Sequence, residues 1–202
     1  MQVDFTQLDA AESYRWLSST VTPRPIAWVS TISASGVANL APFSFFQVIC
    51  DEPATLLVNV GLHAGGRIKD TVRNVRDTGE LVIHLVSRAA AETMNVTSAT
   101  LPHDQSEFAL AGIETVPSCL VKPPRIAAAA VAFECELAEI KPYPAESPRQ
   151  FLIFAKVLLG HIDAAVMTDE RHVDPAKLDL VGRLSGSFYS TTRDRFAMKR
   201  PA

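Results

Sequence analysis

Cysteine is scarce in this chain and poorly placed for chemistry. Cys50, Cys119 and Cys135 are its thiols, an odd number with no C-x-x-C spacing. Neither a zinc knuckle nor a dithiol redox pair is indicated, and free thiols in a reducing compartment are the simplest reading. The histidines, His63, His84, His103, His161 and His172, form no H-x-x-x-H or H-E-x-x-H pattern, so no metal site is expected. No G-x-G-x-x-G follows a strand-like run, the order G-x-x-x-x-G-K-[ST] is absent, and Ser185-Gly186-Ser187 is not a G-x-S-x-G elbow. These absences argue against a dinucleotide-binding parallel sheet, a Walker loop and a serine hydrolase. A surplus of one charge is lacking too: the net charge is −3, which gives no electrostatic reason for a nucleic-acid partner. The longest apolar stretch, around 126–133, is too short to cross a bilayer, and residues 1–10 carry no basic segment followed by an apolar run. A cytoplasmic protein with no membrane partner is expected.

What is present is a chain of ordinary globular composition. Its 202 residues are 48% hydrophobic and 20% charged, enough for a sizeable core without metals or disulfides. One domain over 1–202 is expected, with a C-terminal tail from about 190. That tail carries Arg193, Arg195, Lys199 and Arg200 and is solvated or meets a second subunit. Asp9 with Glu12 reads as a capping box opening a helix over 9–19. Residues 26–32 are β-branched and aromatic and read as a strand; 33–36 form a turn, and Val37 starts the return. Pro42 within 39–46 forces an edge, a bulge or a break. Asp51-Glu52-Pro53 marks a turn before a strand over 55–60. A helix starts at 70–72 and is closed by Thr78-Gly79, followed by a strand over 80–87 and a helix over 88–96. Residues 127–140 and 151–162 are the two longest strand candidates; Ala127 to Ala130 could be helical by propensity, but the period-two continuation favours strand. Many strands and few scattered helices, with no β-α-β alternation, give a mainly β barrel.

Three segments could carry chemistry. In Gly61-Leu62-His63-Ala64-Gly65-Gly66-Arg67-Ile68-Lys69-Asp70-Thr71, glycines allow the backbone to face an anion and the helix start adds partial positive charge. Arg67, Lys69 and the Thr71 hydroxyl suit a phosphate monoester; the alternative is a flexible turn with Asp70 capping the helix. In Asn39-Leu40-Ala41-Pro42-Phe43-Ser44-Phe45-Phe46, an apolar wall with Asn39 and Ser44 as polar contacts suits a flat heteroaromatic ligand, as do the amides beside Pro42; the alternative is an ordinary aromatic core strand. In Thr22-Pro23-Arg24-Pro25-Ile26-Ala27-Trp28-Val29-Ser30-Thr31, two prolines stiffen the backbone around Arg24, Trp28 could wall a pocket, and Ser30 and Thr31 could reach a ligand. The alternative is a surface arginine and a half-buried tryptophan. No side chain stands out as a nucleophile.

Taken together, these segments resemble the flavin reductase-like family of FMN-binding split barrels. Asp51 to Pro53, Lys69-Asp70-Thr71 with Asn74, and Val181-Gly182-Arg183-Leu184-Ser185-Gly186 with Tyr189 extend the similarity from about Tyr14 to Tyr189. The resemblance implies a split β-barrel with a few peripheral α-helices and FMN held at the interface of a homodimer. It implies that Arg24, Trp28, Ser30, Thr31, Asn39, Ala41, Pro42 and Ser44 line the flavin, with Lys69, Asp70 and Thr71 at its phosphate, where the charge of Arg67 is expected from the anion argument above. It further implies an oxidoreductase that takes hydride from NADH or NADPH and passes electrons to an acceptor or a partner monooxygenase. A non-catalytic FMN electron carrier of the flavoredoxin kind is the alternative. Arg24 is expected to point its charge into the flavin pocket.

Overall fold

The computed structural model describes residues 1–201. The chain runs α1 (Ala10–Thr20), β1 (Arg24–Pro25), β2 (Ala27–Ile32), β3 (Ala38–Phe43), β4 (Phe46–Asp51), β5 (Ala54–Gly61), α2 (Asp70–Thr78) and β6 (Glu80–Leu85). A 3-10 turn at Arg88–Ala90 leads into α3 (Ala91–Val96), then α4 (Glu107–Leu110), β7 (Thr115–Val116) and β8 (Arg125–Ile126). Two long strands come next, β9 (Val131–Tyr143) and β10 (Gln150–Ile162), then α5 (Pro175–Leu178), β11 (Val181–Arg183) and β12 (Tyr189–Thr191).

The main sheet has seven antiparallel strands in the order β3-β2-β6-β9-β10-β5-β4. Its two edge strands are consecutive in the chain, joined only through Ser44 and Phe45. Two edges tethered so closely require the sheet to roll round on itself. They are not hydrogen-bonded to each other as a ladder, so the barrel is split between β3 and β4. The expected mainly β barrel with few helices is what forms.

Alternation along each strand then sorts the side chains onto two faces. Ala27, Val29 and Phe43 point inward with Val58, Leu81, Ile83 and Ile153, filling the barrel. Ile26, Trp28 and Leu40 point outward into a second core shared with Met94, Phe108 and Ile126, beneath α3 and α4. Pro42 sits on the free edge. The Leu40 amide, two residues earlier, faces away from β2 and donates to Glu107 Oε2 at 3.0 Å. The missing N–H of Pro42 therefore falls on the side where no ladder bond is made.

Helix α1 begins as its sequence indicates: Asp9 accepts from the Glu12 amide at 2.8 Å and Glu12 accepts from the Asp9 amide at 3.2 Å. Two expectations need correction. Residues 127–130 are not strand. Ile126 is the last paired residue of β8, and the Ala129 amide turns back to its carbonyl at 3.2 Å. Alanine has little side chain to gain from a pleated surface, so the period-two pattern begins only at Val131. Asp70 does not cap α2. Lys69 is the N-cap residue, without a side-chain cap bond, and Asp70 instead meets His103 Nδ1 at 2.9 Å and Arg73 at 3.5 Å. Strand β4, which the sequence pattern did not reveal, carries exposed Val48 and Ile49 on the second free edge.

His84 of β6 is fully buried on the outward face. The Ile126 amide donates to its Nε2 at 3.0 Å, and Nδ1 lies 2.9 Å from the Trp28 carbonyl. An accepting Nε2 and a donating Nδ1 define a neutral ring, and burial lowers its pKa from 6.5 to about 4. The unfolded chain therefore binds a proton that the folded chain refuses between those values. Stability from this group is complete above the upper value and is lost as pH falls through the window, on the order of 3 kcal/mol in all. Denaturant unfolding should show this acid slope, and His84→Gln should flatten it; an unchanged slope in the variant would contradict the assignment.

Candidate functional site

Helix α2 is fixed to the mouth of the barrel by a buried polar seam. Thr31 and Asn39 are cross-strand partners on the inward face at the ends of β2 and β3. Asn39 Nδ2 donates to Thr71 Oγ1 at 3.2 Å, and Asn74 Nδ2 donates to Thr31 Oγ1 at 3.1 Å. All four residues are buried. Thr71 and Asn74 lie three apart on one face of α2, so both bonds are made by the same side of the helix.

The seam sets the floor of a narrow cleft of about 90 Å³. Asn39, Ala41, Pro42 and Phe43 form one wall, Lys69, Asp70 and Thr71 the floor, and residues 97–101 the opposite lip. Thr71 Oγ1 accepts from Asn39, which leaves its own proton available to a ligand. The Lys69 ammonium lies 5.5 Å from the Phe43 ring centre, and no carboxylate among the described residues is within ion-pair distance of it. Burial lowers the Lys69 pKa. His63 on the same cleft is also held below its ordinary value, first by burial and then by the charges of Lys69 and Arg67. A half-buried cation, a hydroxyl proton and a helix start converge on a space of this size. That arrangement favours an anion no larger than a phosphate group. Next to it, sharing His63, Asp70 and Leu101, is a wider cleft of about 480 Å³ that contains Arg67, Arg73 and Arg76.

The site residues expected from sequence are thus only partly gathered. Asn39, Ala41, Pro42, Lys69, Asp70 and Thr71 share the narrow cleft, with Thr31 behind it, and Arg67 stands in the adjoining one. Ser44 is half-buried in the bend between β3 and β4. Trp28 and Ser30 lie on the opposite face of β2. Ser30 is fully buried there with no partner for its hydroxyl among the described residues. Trp28 reaches the cleft indirectly: its Nε1 donates to Thr97 Oγ1 at 2.8 Å, and Thr97 is part of the lip. Glu107, His63, His103 and the lip residues were not anticipated. His63 belongs to the glycine-rich segment already singled out, whereas Glu107, His103 and the lip are brought in by chain segments farther along the sequence that no local motif marks.

Arg24 departs most from expectation. Its guanidinium does not carry a free charge into a pocket. Nη1 donates to the Ser18 carbonyl and, at 2.9 Å, to the Val21 carbonyl; Nη2 donates to the Leu184 carbonyl at 2.9 Å. The first two are carbonyls left over at the end of α1. The flanking prolines hold β1 extended, and β1 pairs with β11 across Arg24↔Arg183, which brings Leu184 within reach. Arg24 is 6% exposed, so its fork closes three backbone acceptors at the junction of α1, β1 and β11. Arg24→Ala should cost at least about 1–3 kcal/mol in denaturant unfolding. Arg24→Lys should recover only part of that, because one ammonium cannot span three carbonyls. A variant as stable as the parent would refute the clamp.

The Flavin reductase like domain family matches residues 18–175. An uncharacterized protein of Aquifex aeolicus (strain VF5) is 38% identical over 189 residues, 94% of each chain. Among solved structures, nitrilotriacetate monooxygenase component B from Bacillus cereus superimposes with a TM-score of 0.93 at 28% identity, over 98% of both chains. The 2-nitrobenzoate 2-nitroreductase NbaA of Pseudomonas fluorescens gives a TM-score of 0.90 at 26% identity, over 100% of this chain and 96% of its own.

Proposed function

Because the chain belongs to the flavin reductase-like family, we propose that it is an FMN-dependent oxidoreductase that accepts hydride from NADH or NADPH. The observation that carries this is the narrow cleft, where Lys69 and Thr71 meet the start of α2 beside Asn39. The donor set fits a phosphate monoester: one half-buried cation, one hydroxyl proton and the amides of a helix start. Lys69, Thr71 and Asn39 would hold the phosphate, with Arg67, Arg73 and Arg76 in the adjoining cleft adding attractive field. The edge of β3 from Asn39 to Ser44 would line the ribityl chain and ring, since its outward carbonyls are not spent on a ladder, although Glu107 takes the Leu40 amide and Pro42 has none. Bound FMN supplies the two-electron chemistry, and the protein supplies position and electrostatics. Trp28 contributes by steadying Thr97, and Arg24 by holding α1 in place.

The whole chain acts as one domain in this proposal, working as a homodimer in the cytoplasm. Support for the dimer comes from apolar surface that a lone barrel leaves open. Tyr14, Leu17 and Val21 of α1 and its end are exposed, and so are Val48 and Ile49 on the unpaired edge of β4. A partner monooxygenase is a natural electron acceptor, given the component named in the Bacillus cereus relative. The second reading is an FMN electron carrier with little nicotinamide turnover. NADH and NADPH oxidation assays with added FMN separate the two: sustained turnover with either nucleotide supports the reductase, and none with both supports the carrier.

Lys69→Ala and Thr71→Ala should each weaken FMN more than riboflavin. Loss of one charge-assisted contact is worth about 1.5–3 kcal/mol, roughly 10- to 100-fold in affinity. Equal losses for the two flavins, measured by fluorescence titration, would place the phosphate elsewhere.

A further inference from the structure

Away from the Lys69 cleft, three side chains from distant parts of the sequence converge on the outward face of the barrel. Glu134 of β9 has no exposed surface. Burial alone would raise its carboxyl pKa, but the Cys119 and Leu120 amides and His161 together hold it below the usual range. Those amides donate to Oε1 at 2.8 Å and to Oε2 at 2.6 Å. His161 Nε2 lies 2.6 Å from Oε1.

A strand irregularity makes this meeting possible. Val157 of β10 faces Cys135, yet Leu159 faces Glu134, so Leu158 is an extra residue in β10. The inserted residue reverses the phase of the rest of the strand, and His161, two beyond Leu159, comes onto the face of Glu134. His161 pairs across from Ala132, whose methyl group leaves the diagonal path to Glu134 open. The loop carrying Cys119 is drawn over the same face by its amide bonds to the carboxylate. As a result Cys119 Sγ, a His161 ring nitrogen and a Glu134 oxygen all lie within 4.8 Å of one another. The carboxylate is buried, the imidazole is partly exposed, and Cys119 opens to solvent.

We propose that Cys119, Glu134 and His161 form a binding site for a zinc-class divalent cation. One thiolate, one imidazole and one carboxylate match the mixed sulfur, nitrogen and oxygen preference of Zn2+, and three protein ligands leave a fourth, solvent-facing position for water. Arg125 Nε, buried and without a hydrogen-bond partner among the described residues, lies 3.7 Å from Glu134 Oε1. It compensates the carboxylate when no metal is bound; thiolate, carboxylate and Zn2+ together are neutral, so with Arg125 the cluster carries one net positive charge. Binding displaces the thiol proton and any proton shared between His161 and Glu134 into solvent, so affinity falls as pH is lowered. The spacing 119, 134, 161 fits no sequence motif, which is why local histidine and cysteine patterns gave no sign of the site.

The test uses chelator-treated full-length protein. Calorimetric titration with Zn2+ and mass-spectrometric rates of Cys119 alkylation are measured on the parent, Cys119→Ser and His161→Gln. Expected are about one Zn2+ per chain and slowed alkylation of Cys119 in its presence. Each substitution should lower affinity by more than the roughly 10–100-fold that loss of an outer partner costs. Cys119 is exposed, so its serine variant carries the test should the histidine variant fail to fold. Alkylation at the same rate with and without Zn2+, or parent-like affinity in Cys119→Ser, would overturn the proposal.

Discussion

Two buried hydrogen bonds between amide and hydroxyl side chains, Asn39 to Thr71 and Asn74 to Thr31, fix where the barrel ends and its second helix begins. Each joins a residue of the β2–β3 hairpin to the same face of α2. Neither partner can easily be served by water, because all four are buried. Breaking one bond would leave a desolvated polar group behind, a larger penalty than the bond's net worth. The start of α2 is therefore held in place before any ligand arrives. Lys69 and Thr71 are presented at a fixed distance from the β3 edge, as a preorganised anion cleft requires.

The rest of the architecture supports that edge. A strand whose outer side faces no neighbour would ordinarily invite pairing with another chain. Here Glu107 of α4 takes the Leu40 amide, and Pro42 offers no amide at the next outward position. Burial raises the Glu107 carboxyl pKa, with the Leu40 amide opposing the shift. On the other face of the hairpin, Trp28 passes through the second core to Thr97 and sets the far lip of the cleft. The two faces of β2 thus have different duties. One anchors α2, and the other positions the segment that faces it.

Where local chemistry decides the conformation, the sequence was legible. The 27–32 and 38–43 hairpin, the α1 capping box and the edge role of Pro42 all follow from residue types at fixed spacing. Gly79 closes α2 in the left-handed conformation, at the position where a helix terminator was expected. What failed depended on distant partners. Two prolines around Arg24 did restrict its backbone, but nothing in the local sequence indicates that carbonyls at 18, 21 and 184 await its guanidinium. Strand β4 has a register shift and an exposed outer side, so its hydrophobic pattern is weak. Trp28 and Ser30 adjoin Thr31 in sequence, yet strand alternation sends them to the opposite face. The 119, 134 and 161 cluster depends on a bulge, a register effect that composition does not encode.

A phosphorus NMR spectrum of FMN with the protein and with its Thr71→Ala variant addresses the central claim most directly. The phosphate should give a bound resonance distinct from that of free FMN, and the substitution should displace it while the circular dichroism of the barrel stays unchanged. A bound resonance that matches free FMN and is indifferent to Thr71 would contradict a phosphate held at the start of α2.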